Sequence, residues 1–116
     1  MGRSTHRTTH PTKLDAELAD RYVDAQQELV MLDFNTGIGY GGARCLLYAL
    51  AVSVREGLIV RLTDGARARM RTDIKTMRAL SQKARRRWLD NGEGQYLPYR
   101  CPECGRWRAP DEPHQH

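Results

Sequence analysis

A single phenylalanine and two tryptophans in 116 residues leave little large aromatic volume, so a core has to be filled by Leu, Ala, Val, Met and Tyr. Cysteine is also scarce, and its odd count of three argues against a disulfide framework. Lysine is nearly replaced by arginine, three against sixteen, a bias that reflects GC-rich coding as much as chemistry. Long hydrophobic runs are missing. The most apolar stretch, residues 45–54 (CLLYALAVSV), falls short of the ~20 residues that cross a bilayer and does not follow a basic start. It predicts a buried segment of a cytoplasmic protein, not a membrane span or signal peptide. Gly2 is followed by His6 where a myristoylation signal requires Ser or Thr, so no lipid anchor is expected. What remains is 40% apolar and 28% charged, the balance of a globular domain.

The patterning predicts an all-α protein: a bundle of three principal helices with a C-terminal zinc knuckle. Residues 1–11 lack apolar periodicity and read as a flexible arm, residues 12–91 as the bundle, and residues 92–116 as the knuckle tail. Leu14, Leu18, Tyr22, Ala25, Leu29 and Leu32 recur at spacings of three and four, the stripe of a packed helix over about 13–34. Thr12 is placed to cap it, with Asp15 and Glu17 at the positive end of its dipole. NTGIGYGG, with four glycines in eight residues, reads as an interhelical break. Residues 43–56 then form a buried central helix stopped by Gly57, with Cys45 as a small buried hydrophobe. LIVRL is a short strand or a link. Thr63 or Asp64 caps a third helix that runs to about Asp90 and ends at NGEG. Short connections between helices fit a bundle.

Charge divides unevenly. Residues 12–34 hold two basic and six acidic side chains, whereas residues 63–91 hold nine basic and three acidic. At about 100° per residue, Arg67, Arg71, Lys75, Arg78 and Arg85 fall in one stripe, away from the apolar arc of Met70, Ile74, Met77, Ala84 and Trp88. Arg86 belongs to an adjoining arginine triplet. With a net charge of +5 and a pI of about 9.4, the stripe predicts polyanion binding, DNA more than RNA, with Arg106 and Trp107 of the tail adding a cation and a stacking surface. The competing account pairs these arginines with the acidic first helix and packs Trp107 against the bundle.

The tail sequence YRCPECGRWRAPDEPHQH carries the most specific chemistry. Two cysteines at C-x2-C let two thiolates converge on one tetrahedral ion at ~2.3 Å, and the following glycine permits the tight turn. Cys101, Cys104, His114 and His116 form a candidate Zn2+ set, the histidines two apart and therefore on one face of an extended segment, with His10, His6 or a knuckle of a second chain as competing donors. Four protein donors would leave no open position, which predicts a structural rather than a catalytic ion. CPECG resembles the CPxCG knuckle of zinc ribbons, although no second CxxC follows. The helical, arginine-rich body with its YxCPxCGxW tail looks like small zinc-binding proteins of actinobacterial phages and their hosts, which form no defined family. That resemblance implies an accessory or regulatory role.

Gly37, Gly39 and Gly42 match G-x-G-x-x-G, and Asp64 lies about 20 residues onward where a ribose-binding acid belongs. This segment also resembles the glycine loop of S-adenosylmethionine-dependent methyltransferases, which implies flanking parallel strands and a nucleotide or cofactor. The helical stripe through Leu29 and Leu32 opposes it, as does the lack of chain to cover both faces of a parallel sheet. The expectation is a non-enzymatic, zinc-stabilised nucleic-acid-binding or regulatory protein, with a protein–protein adaptor as the alternative.

Overall fold

The computed structural model describes residues 13–43, 45–59 and 61–111. In chain order they form α1 (Lys13–Leu32), α2 (Phe34–Ala43), α3 (Cys45–Arg55), α4 (Asp64–Asp90), a 3-10 turn (Gly94–Tyr96), β1 (Tyr99–Arg100) and β2 (Trp107–Arg108). The chain is mostly helical, as the patterning requires, but among the described residues the helices number four, not three. The expected N-terminal arm and the Thr12 cap lie outside the described residues, as do Val60, Arg44 and the environment of Cys45.

The fourth helix is a correction. The glycine-rich segment that reads as a break is α2, started by a cap that the glycines obscure. Asp33 stands between the two helices and accepts from the Thr36 amide at 3.3 Å and from the Thr36 hydroxyl at 2.9 Å, the arrangement of an N-cap carboxylate with the third residue of its helix. The Gly37 amide then makes an early helical bond to the Asp33 carbonyl at 2.8 Å. The predicted extension of the first helix to residue 34 therefore ends at Leu32.

The other helix stops follow their local chemistry. Gly57, at φ +76°, closes α3 while the Leu58 amide reaches Ser53 O at 2.8 Å and the Gly57 amide reaches Val54 O at 3.1 Å. Gly92, at φ +75°, closes α4 in the same way, with Glu93 N to Trp88 O and Gly92 N to Leu89 O. Both are Schellman closures, for which a residue without Cβ is best suited. At the other end of α4, Thr63 Oγ1 accepts from the Ala66 amide at 3.1 Å, so Thr63 is the cap. The described residues of LIVRL are irregular, which fits the link rather than the strand.

The helix α1 is the centre of the fold, packed by α2, α3 and α4. Its stripe from Leu18 through Tyr22, Ala25, Leu29 and Leu32 is buried, and meets Met70, Ile74 and Met77 of α4 and Leu47, Ala51 and Val54 of α3. Leu14 departs from the expected stripe and is exposed; Asp15 occupies the buried position instead. Buried polar groups also tie the helices. Tyr22 of α1 and Tyr40 of α2 both donate to Asp73 of α4, at 3.2 and 3.4 Å. Hydrogen-bond partners of this kind are what make a buried carboxylate tolerable. No described helix is long and apolar enough to cross a membrane.

Candidate zinc knuckle and basic interface

The tail is built as a hairpin. Strands β1 and β2 are antiparallel, with Tyr99 opposite Arg108 and Arg100 opposite Trp107. Between them lies the CPECG turn, closed by the Cys101 amide on Arg106 O and the Gly105 amide on Cys101 O, both at 2.8 Å, with Gly105 at φ +70°. Cys101 is buried and Cys104 half-buried, and an Arg108 guanidinium nitrogen lies 3.9 Å from Cys104 Sγ.

The turn supplies two thiol donors. Among the described residues no group of three or more His, Cys, Asp or Glu side chains is placed to hold a metal. His114 and His116 lie outside the described residues, so the donor set that the structure describes is the cysteine half of the predicted site. That half fits zinc in donor chemistry and in the glycine-assisted turn.

The hairpin does not hang free of the helices. Asp24 of α1 accepts from Arg100 at 2.8 Å, from Trp107 Nε1 at 3.0 Å and from Arg78 at 3.0 Å. Two guanidinium carbons, of Arg85 and Arg100, lie 5.2 and 4.7 Å from the Trp107 ring centroid, within cation–π range. Burial alone would raise the Asp24 carboxyl, but the hydrogen bonds from Arg100 and Arg78, with their charges, outweigh it and hold the group below its ordinary 3.8. The same contact raises Arg100, chiefly through the Asp24 hydrogen bond.

This docking divides the predicted basic stripe. Arg67 bonds buried Asp15 through Nε at 2.7 Å, and Asp15 also accepts from the Leu62 amide at 2.9 Å. Arg78 reaches Glu28 at 2.8 Å as well as Asp24, and Arg85 reaches Glu28 at 2.9 Å. The hydrogen bond to Asp15 is the main reason the Arg67 guanidinium is raised above its ordinary value. Just beyond the stripe, Arg87 pairs with Asp33 at 3.0 Å. By contrast Arg71, Lys75, Lys83 and Arg86 are exposed and have no ion-pair partner among the described residues.

Helical geometry explains the division. Measured from Arg71 at about 100° per residue, Arg67, Arg78 and Arg85 lie ~20–40° toward the buried face, while Lys75 and Arg86 lie ~40–60° away from it. The inner edge therefore meets the acids of α1, and the outer edge meets solvent. Trp107, predicted as a stacking surface, is half-buried between arginines, whereas Arg106 is exposed.

No protein-family model, curated protein or solved structure matches the chain.

The glycine motif has a different role from the one its spacing suggests. Gly37, Gly39 and Gly42 are all in α2, residues 29–32 of the expected leading strand belong to α1, and no described strand flanks the glycines. A phosphate-binding glycine loop needs a strand leading into the loop. That context is absent from the described residues. A Cβ on Gly37 would lie 2.6 Å from Val30 Cα, so this glycine is required by the crossing of α2 over α1. The Gly37 carbonyl also accepts from Gln26 Nε2 at 2.7 Å. Asp64 stands at the start of α4, paired with Arg67 at 2.8 Å.

Proposed function

We propose that the protein is a zinc-stabilised, non-enzymatic nucleic-acid-binding accessory protein. Its phosphate-contacting surface is the outer edge of α4, formed by Arg71, Lys75, Lys83 and Arg86. The observation that carries this reading is the absence of ion partners for these four among the described residues, on the same helix where Arg67, Arg78 and Arg85 are neutralised by α1. Cations one and two turns apart on one helix edge suit a run of phosphates, which attract them without reading sequence.

Zinc is assigned to Cys101 and Cys104, completed by His114 and His116. Its part is structural: holding the CPECG turn closed keeps Arg100 and Trp107 in register for Asp24. Metal ligation by thiolates and neutral imidazoles makes the site acid-sensitive.

The test is fluorescence anisotropy of labelled duplex and single-stranded oligonucleotides with zinc-loaded protein at several salt concentrations. The expected result is duplex DNA binding whose log affinity falls with log salt at about −0.9 per neutralised phosphate. Absence of binding to every oligonucleotide at low salt would contradict the reading.

A further inference from the structure

A groove of about 720 Å³ runs between α1, α2 and the hairpin, remote from the outer-edge cations, none of which lines it. Its walls include Val30 and Met31 of α1, Ile38 and Gly42 of α2, and Arg106 with Trp107 from the hairpin. The volume is in the range of ligand sites. Two guanidiniums, those of Arg106 and Arg108, line it, and no carboxylate does. In a chain that pairs six other arginines with acids of α1 and the residue after it, Arg106 is exposed and has no ion partner among the described residues. The apolar surface does not end at the groove. Phe34, Ile38 and Gly42 recur every fourth residue along α2, so they share one face, and Phe34 and Ile38 are 64% and 51% exposed.

We infer that this groove is a docking site for an acidic amphipathic peptide segment of a partner protein. Apolar side chains of that segment enter between Met31, Ile38 and Gly42 and continue toward Phe34, while a carboxylate meets Arg106. Charge complementarity selects the occupant: the lining attracts carboxylates and repels a basic segment, and a purely apolar one would leave Arg106 facing it uncompensated. An elongated apolar strip beside a cation suits a segment with apolar residues on one face better than a phosphate chain, which has no apolar side chains to place there. Methionine in the wall adapts to side chains of different shape. Gly42 keeps the wall low: a Cβ there would meet nothing within 4 Å. This assignment is independent of the α4 surface and of nucleic-acid binding.

The test is selection of a random displayed peptide library on the full-length zinc-loaded chain, followed by NMR titration of the enriched peptides. Enriched sequences should combine Asp or Glu with large apolar residues, and should shift the Ile38 and Gly42 amides and the Trp107 indole N–H. Arg106→Glu and Gly42→Leu should each weaken binding at least tenfold, while Arg86→Gln leaves it unchanged. Gly42→Leu fills the groove without meeting its own chain, so helicity is retained. The proposal is overturned by a library that yields no binder, by basic or uncharged consensus peptides, or by binding that survives both groove variants. An oligonucleotide that moves the same signals, or their movement with protein concentration alone, overturns it in favour of nucleic acid or a second copy.

Discussion

Gly37, Gly39 and Gly42 share a motif but not a reason. Gly37 lies against the α1 backbone at Val30, whereas a Cβ on Gly39 or Gly42 would meet open space. Gly37→Ala should therefore destabilise the fold by about 1–3 kcal/mol through forced separation of α1 and α2. Gly39→Ala and Gly42→Ala should stabilise it by up to about 1 kcal/mol, the helix-propensity difference. Urea unfolding of the three variants checks both signs; equal losses at all three would point to a shared loop function instead. Asp15 makes the opposite demand. Fully buried, it accepts from the Leu62 amide and from Arg67, so Asp15→Ala should cost about 3 kcal/mol by stranding both donors. A thermal melt indistinguishable from the parent would contradict that role.

At the scale of elements, the hairpin is held to α1 by Asp24, and the sign of its acid dependence follows. A carboxyl held below its ordinary value contributes stability that is present above pH about 3.8 and is lost as pH falls through the folded-state value. Docking should persist at pH 5 and weaken only in stronger acid, apart from any earlier loss of metal. Asp24→Asn should loosen the hairpin by about 2 kcal/mol at neutral pH, since hydrogen bonds to a charged acceptor are the strong ones. Hydrogen exchange at the Cys101 and Gly105 amides reads this directly; unchanged protection would mean that the hairpin is held elsewhere.

The elements also divide what sequence reasoning reaches from what it misses. The Thr63 cap and the glycine closures at Gly57 and NGEG were legible because each depends on neighbouring residues alone. The helix α2 was hidden, since four glycines outweighed a cap signal, Asp33 followed three residues later by Thr36, that was present in the sequence. Strands of two residues are too short to alternate, so the hairpin was legible only as a CxxC turn. The division of the basic stripe depends on how α4 is rotated against α1. Arg71 and Arg78 differ by only ~20° around the helix, and packing decides which one meets an acid.

At the scale of the molecule, ion pairs between α1 and α4 join the two helices, and Asp24 ties the hairpin to α1; the proposed zinc would hold the turn of that hairpin closed. One zinc per chain is expected by atomic emission, lost in Cys101→Ser/Cys104→Ser; equal metal in parent and variant would remove the site. Replacing His114 and His116 separately should lower zinc affinity without changing the cysteine pair. On the proposed reading, the α4 cations left without an acid of α1, Arg71, Lys75, Lys83 and Arg86, are what the protein offers to nucleic acid.

The most direct measurement is duplex DNA affinity against salt for two matched triple variants with zinc and helicity retained. Arg71→Gln/Lys75→Gln/Arg86→Gln should weaken binding and flatten the slope by about 0.9 for each phosphate contact removed. Arg67→Gln/Arg78→Gln/Arg85→Gln should lose thermal stability, yet keep the parent slope at temperatures where it remains folded. The account is contradicted if the inner triple flattens the slope while the outer triple binds as the parent does.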